Sequence, residues 1–587
     1  MLARTENIVT VAANWLSQFE RALTEHDDAL LRTLLHRDSH WRDVLALTWR
    51  IMTINGSDAI LGALRKHGAA RPAGFKIASN RSPPRHVTRA GVDSIEAIFT
   101  FETAEGRGSG VVNLTPDADG CNSLRAWFLL TALDEIDGNE ERLGTARPAH
   151  RACSRDFRGP NWLDARKAAA TYRDHDPAVL VVGGGQAGLS TAAHLTQLGI
   201  DTLIVDREPR VGDNWRNRYH ALVLHNQTHV NHLPYMPFPP NWPTYLPKDK
   251  IAGWFEAYVA SMELNYWTAT EFAAGRYDEE SGRWSVALRR ADGEEREMHP
   301  RHVVIATGAS GIPSVPDIPT LRRNFAGTIL HSSQYRDGDA WNGKNALVIG
   351  TGNSGHDVAQ DLHASDATVT LVQRSPTMVV NVEPSAQLQY ALYDEGLSLE
   401  DCDLITTSIP LAVAKRSHIQ LTRQARNLDK PLLDGLARKG FRLDFGDDET
   451  GWQFKYLTRG GGYYFNVGCS DLIVAGEIGL IQFSDIDAFV ADGVRMRDGQ
   501  VLAADLIVLA TGYKSQEHLV RKLFGDEIAA RVGAIWGFGE GEELRNMFTR
   551  TAQQGLWFIA GSFAQCRIYS RYLSLQIKAC EAGLLER

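Results

Sequence analysis

Two glycine-rich turns carry the most specific chemistry in this sequence. In AVLVVGGGQAGLSTAAHL the apolar run Val179–Val182 meets Gly183, Gly185 and Gly188, and helical periodicity begins at once. In NALVIGTGNSGHDVAQDL, Gly350, Gly352 and Gly355 stand in the same context, with Asn353 and Ser354 inside the turn. The first glycine of each set permits a tight turn, the second lets the backbone approach a pyrophosphate, and the third lets helix pack on strand. The helix N-terminus then offers partial positive charge to phosphates. Both turns therefore read as dinucleotide sites, and the ends of the following strands separate them. Asp206 ends the apolar run Thr202–Val205, about 20 residues past the first glycine, where a carboxylate can accept from both ribose hydroxyls. The equivalent run at 369–372 ends in QRSPT, and Arg374 there suits a 2′-phosphate, which makes the second site one for NADPH rather than NADH.

Between the turns lies FAGTILHSSQY, residues 325–335, with the spacing F-x-G-x-x-x-H-x-x-x-Y at Phe325, Gly327, His331 and Tyr335. Neither strand nor helix periodicity explains those offsets. Two further apolar runs, HVVIATGAS (302–310) and DLIVLATGYKS (505–515), end in Ala-Thr-Gly. Gly308, and Thr511 with Gly512, would let the backbone turn close to a cofactor.

These motifs need a scaffold. From Ala178 onward strand–turn–helix repeats imply α/β architecture with parallel sheets, here two dinucleotide-binding domains. At 587 residues the chain holds several cores. Residues 1–140 read as a separate small α+β unit, with helices at 11–23, 29–35 and 57–67 and strands at 94–102, 108–114 and 124–133. Helices on a curved antiparallel sheet would form a cone with an apolar interior. Residues 141–177 form a charged, alanine-rich linker. The expected division is then 178–340 for the first dinucleotide domain, 341–500 for the second with a partly helical insertion at about 390–470, and 501–587 returning to the first.

A net charge of -9 argues against nucleic acid as a partner. The start of the chain lacks a signal-peptide pattern, no apolar run approaches the ~20 residues of a membrane span, and a cytoplasmic protein is expected. The six cysteines, 121, 153, 402, 469, 566 and 580, show no C-x-x-C and no zinc spacing, so free thiols and no metal site are expected. Residues 189–230 contain no cysteine, which removes the dithiol pair that a disulfide reductase needs near the first helix.

With these residues in view, the chain at about 177–580 resembles the class B flavoprotein monooxygenases: flavin-containing monooxygenases, plant YUCCA enzymes and Baeyer–Villiger monooxygenases. The fingerprint at 325–335 matches theirs, and HSSQY and LATGYKS are most similar to the YUCCA branch. The resemblance implies FAD on Gly183–Gly188 and Asp206, NADPH on Gly350–Gly355, and oxygen transfer from O2 to a small molecule by way of a flavin C4a-hydroperoxide. It implies that Asp213 and Trp215 in VGDNWR line the flavin, and that Asn226 lies beside its reacting edge. His331 and Tyr335 join Asn226 among the expected catalytic residues, with His331 positioning NADP⁺ in the hinge rather than transferring a proton. An amine or sulfide, or a 2-oxo acid, would take the oxygen; ketone oxygenation of the Baeyer–Villiger type and an NADPH oxidase or sensor are the alternatives. The WRD at 41–43 and the element order of the first 140 residues resemble the nuclear-transport-factor-two-like cone, expected to serve packing or homodimerisation.

Overall fold

The computed structural model describes residues 7–117, 123–147, 157–308 and 311–585. Cys121, Cys153 and the last two residues of HVVIATGAS lie outside them. The first glycine-rich turn leaves the middle of a five-stranded parallel sheet, in the order Asn265–Trp267, Thr202–Val205, Val179–Val182, His302–Ile305, Leu556–Phe558. Its inner strands are apolar apart from Thr202 and His302, with every residue buried, as expected where helices cover both faces. The helices Gln186–Gln197 and Phe563–Glu581 pack together over it.

The second turn leaves another parallel sheet, in the order Thr328–His331, Leu506–Leu509, Asn345–Ile349, Thr368–Gln373, Gly479–Gln482. This corrects the expected boundaries at 340/341 and 500/501. The fingerprint segment supplies the edge strand of the second sheet, and the DLIVLATG run is wedged between it and Asn345–Ile349. Backbone pairing, which the two apolar runs could not reveal, decides which sheet each joins. The second module therefore extends from 328 to 509, and the return to the first begins after it. The two crossovers run side by side: Ser314 N donates to Gly512 O (2.9 Å), Lys514 N to Ile312 O (2.8 Å), and the Thr511 hydroxyl to Ser314 O (2.6 Å).

The first 136 residues place the helices Ile8–Thr24, Asp28–Leu34 and Ser57–Lys66 against a seven-stranded sheet. Strand Leu35–Val44 pairs with Leu124–Ile136 in parallel, so the sheet is mixed rather than wholly antiparallel. The chain crosses from one strand to the other through helix Ser57–Lys66 and the intervening strands, which allows the same direction. Between these helices and the sheet the rings of Trp15, Phe19, Phe75, Phe99 and Phe101 pack at centroid spacings of 5.0 to 6.0 Å. Strands Gly106–Pro116 and Leu124–Ile136 are buried almost throughout instead of alternating, because their outer face is covered too. The cover is helix Leu399–Ser408 of the insertion and the C-terminal helix Phe563–Glu581. Pro410 separates Leu399–Ser408 from helix Leu411–Leu428, whose Val413 packs on Trp127 and Phe128. Among the described residues no helix is long and apolar enough to cross a membrane.

Candidate active site

Both glycine sets are required by close approach. Gly183 has φ +106°, and a Cβ there would meet Ala306 O at 2.7 Å; one on Gly188 would meet Gly183 O at 1.9 Å. The second set repeats this, with Gly350 at φ +121° facing Ala510 O at 2.3 Å and Gly355 facing Gly350 O at 2.0 Å. Gly185 and Gly352 cap their helices, leaving the first backbone N–H groups free for phosphates. Asp206 lies beside the first turn: its carboxylate accepts from Gly184 N (2.6 Å) and Glu208 N (2.9 Å). Asp213 is buried at the start of the short helix Asp213–Arg216 and is paired with Arg216.

In the second module, Asn353 accepts from Phe465 N (2.9 Å) and so ties the turn to the insertion, while Ser354 follows it in the first helical turn. Arg374 is exposed just past Thr368–Gln373. Its carbonyl accepts from the guanidinium of Arg442, which comes from the insertion. Among the described residues neither arginine pairs with a carboxylate, so two cations stand together at this strand end. Arg442 was not legible in the sequence, since only the fold returns the insertion to this strand end.

The fingerprint residues serve as a joint. His331 is buried; its Nδ1 accepts from Ser333 N (3.1 Å), which leaves the proton on Nε2 to donate to Gly512 O (3.1 Å). Burial lowers its pKa, so the ring is neutral and ties the edge strand to the second Ala-Thr-Gly crossover. Tyr335 is buried with its hydroxyl donating to Asp361 (2.6 Å) on helix Asn353–Ala364. A Cβ on Gly327 would stand 2.5 Å from the Phe325 ring.

One cavity of about 1030 Å³ connects the parts. Gln186, Asn214, Trp215 and Thr307 line it from the first module, Ser333 and Tyr513 from the joint, and Tyr390, Trp452 and Phe465 from the insertion. Neither His331 nor Tyr335 lines this cavity; their polar atoms hold crossover and helix in place. Asn226 is on its wall, and its amide donates to the Tyr390 hydroxyl (2.8 Å). Two buried groups on the cavity-lining residues Trp215 and Thr307, the indole N–H and the hydroxyl, have no hydrogen-bond partner among the described residues. Buried polar groups are seldom left so unless a ligand satisfies them, and a flavin nucleotide provides both acceptors and ring edges. Residues 561–565, at the N-terminus of helix Phe563–Glu581, also line the cavity, and Gln186 donates to Gly561 O (3.1 Å). The sequence carried a signal for that helix start in GSFAQ, where Ser562 and Gln565 form a capping box.

These features define a flavoprotein with two dinucleotide modules, and known proteins agree. Residues 177–401 match the family model described as pyridine nucleotide-disulphide oxidoreductase. Disulfide chemistry finds no pair beside the first turn, where residues 189–230 hold no cysteine. The indole-3-pyruvate monooxygenase YUCCA1 of Oryza sativa subsp. japonica is 34% identical over 358 residues, 60% of this chain and 80% of that protein. The probable indole-3-pyruvate monooxygenase YUCCA9 of Arabidopsis thaliana is 31% identical over 338 residues, 57% of this chain and 75% of that protein. A cyclohexanone monooxygenase with bound epsilon-caprolactone superposes with a TM-score of 0.51 at 18% identity, over 70% of this chain and 88% of that one, and shows the fold alone. The chain belongs to the flavin monooxygenase family. It is a flavin-dependent monooxygenase that uses FAD and NADPH.

Proposed function

We propose that FAD is held by Gly183, Gly185, Gly188 and Asp206 with Asp213, Trp215 and Thr307 around it, and NADPH by Gly350–Gly355, Asn353, Ser354, Arg374 and Arg442. When bound, FAD takes hydride from NADPH and activates O2 so that one oxygen atom passes to a small organic acceptor. The observation that carries this reading is the single cavity that runs from Gln186 and Trp215 past Tyr513 into the insertion.

The chain's own part is to orient and to keep water out. Asn226, pinned by Tyr390, offers its amide on the wall between first module and insertion. Thr511 and Gly512 hold the crossover that His331 clamps, which fixes how the two modules face each other. Trp452, Phe454, Tyr463, Phe465 and Phe538 line the cavity with rings that offer water few partners. Few protons are loose there: burial raises the Tyr390 and Tyr463 phenols and draws His418 down to about 4. A wall of rings that hold their protons favours oxygen transfer over loss of hydrogen peroxide.

We further propose that residues 1–136 are a cone of the nuclear-transport-factor-two-like kind that acts as a wall and not as a second active site. Five packed rings fill its interior, and Arg42 of the WRD segment reaches out of it to line the cavity. Arg81 and Ser82 bind Asp401, and Arg85 and Arg89 bind Glu395. Of packing and homodimerisation, these contacts favour packing on its own chain. The test of the whole reading is NADPH consumption with an aryl methyl sulfide, measuring sulfoxide and hydrogen peroxide together. Sulfoxide in step with NADPH supports oxygen transfer; peroxide equal to NADPH with every acceptor overturns it in favour of an oxidase.

A further inference from the structure

One residue of the first glycine turn is left unexplained by its motif. G-x-G-x-x-G sets no requirement at the second position, and there the chain has Gly184. Its φ lies outside the left-handed region, so alanine could take the same backbone. What forbids a side chain is Tyr266: a Cβ on Gly184 would stand 1.8 Å from the phenol oxygen and 2.3 Å from Cζ. The tip of the Tyr266 ring thus rests on the turn itself.

Tyr266 belongs to Asn265–Trp267, the edge strand of the first sheet, and stands opposite Ile204. Backbone bonds continue past the strand ends, with Asp206 N donating to Trp267 O (3.0 Å) and Thr270 N to Asp206 O (2.8 Å). They hold Tyr266 and Asp206 in fixed relation, and the phenol hydrogen-bonds to the Asp206 carboxylate. Burial, together with the charge of Asp206, keeps the phenol protonated well above its ordinary range, so it is the donor. Neither residue is fully buried.

A carboxylate offers about four lone-pair positions. On Asp206, Gly184 N (2.6 Å) takes one, Glu208 N (2.9 Å) another, and the phenol a third. One acceptor position is left, whereas a ribose presents two hydroxyls. The Tyr266 oxygen, while donating to Asp206, still has lone pairs with which to accept. On the placement of FAD proposed for the first turn, we infer that Tyr266 is a further FAD-binding residue. It shares the adenosine ribose with Asp206, each accepting from one hydroxyl. Gly184 then has its reason, since any side chain there would push the phenol off the carboxylate.

The test is exchange of the bound flavin. Holoenzyme is equilibrated with FAD analogues that carry 2′-deoxyadenosine or 3′-deoxyadenosine, and the ratio of flavins retained after gel filtration gives relative affinity. The unaltered protein should hold each analogue about tenfold more weakly than FAD, the worth of one hydrogen bond. In Tyr266→Phe one of these two differences should shrink to within twofold while the other persists, because Asp206 is untouched. Gly184→Ala, which displaces the phenol by a different route, should erase the same difference. A variant that emerges without flavin is titrated with FAD and both analogues by flavin fluorescence, which yields the same ratios. Survival of both differences in Tyr266→Phe overturns the inference. Loss of both also overturns it, since Tyr266 would then only support Asp206. If the unaltered protein distinguishes neither analogue from FAD, the ribose does not lie on Asp206, and the placement of FAD on the first turn falls with it.

Discussion

Replacing Arg374 by alanine should raise KM for NADPH about tenfold and leave KM for NADH where it was. The side chain is exposed and carries no acidic partner among the described residues, so a phosphate is its natural counter-charge. A charge-assisted hydrogen bond of this kind is worth about 1.5 kcal/mol at the lower, solvent-screened end of its range, which is close to one decade in affinity. Arg442→Ala should cost a similar factor. The double variant should fall short of the hundredfold product by a factor of a few, because Arg442 donates to the Arg374 carbonyl and neighbours in contact are not additive. That hydrogen bond is to backbone, so Arg374→Ala leaves Arg442 anchored and the two losses can be read separately. The assay is steady-state oxidation of NADPH and NADH at one low ionic strength, since salt screens exposed charges. An NADPH KM within twofold of the unaltered enzyme in the double variant would refute the assignment. So would an equal loss for NADH, which has no 2′-phosphate to miss.

Glycine replacements separate the two cofactors. Gly188→Ala should yield protein without bound FAD, and Gly355→Ala a yellow protein that NADPH no longer reduces, because each new methyl would fall within 2.0 Å of a carbonyl oxygen. Absorbance at 450 nm and anaerobic reduction check both. Tyr335→Phe leaves Asp361 without its buried donor and should cost about 1–2 kcal/mol in urea unfolding, with kcat at low temperature nearly unchanged. A large fall in kcat would return Tyr335 to the catalytic set. Asp43, buried in the cone and accepting from Thr48 and Thr131, has its carboxyl pushed up to about 6 by burial. Its folded pKa lies above the unfolded one, so its contribution is full below about pH 4 and is lost as pH rises toward 6. The difference in stability between Asp43→Asn and the unaltered protein should therefore change by up to about 3 kcal/mol over that window, in favour of the variant at the upper end. A flat difference would show that hydrogen bonds already hold the carboxylate ionised.

What the sequence made legible was local. Glycine spacing, the strands either side of it, Asp206 and Arg374 all lie within about 30 residues of one another in each module, and short-range sterics dictate them. The first-module strands Val179–Val182 and Thr202–Val205 are where the apolar runs put them. Contacts made across 68 to 501 residues were not legible. Arg42 meets Glu543, Asn226 meets Tyr390, and Arg442 meets Arg374 only after two modules, a cone and an insertion have docked. The joint shows the same limit. His331 and Tyr335 have the residue types of catalytic groups, but their partners, Gly512 and Asp361, use up those polar atoms. The misplaced boundaries at 340 and 500 arise because an apolar run states that it is a strand and not which neighbour it will choose.

The paired crossovers have an architectural corollary. Since Ser314 N lies 2.9 Å from Gly512 O, the nicotinamide half leaves and rejoins the rest of the molecule at a single point, like a cassette mounted on two adjacent pins. Its removal would leave free ends already touching, so a short splice from Pro313 to Tyr513 closes the remaining polypeptide without stretching it. Half-modules from other oxygenases could be grafted at the same seam, provided that they bring a histidine to clasp it.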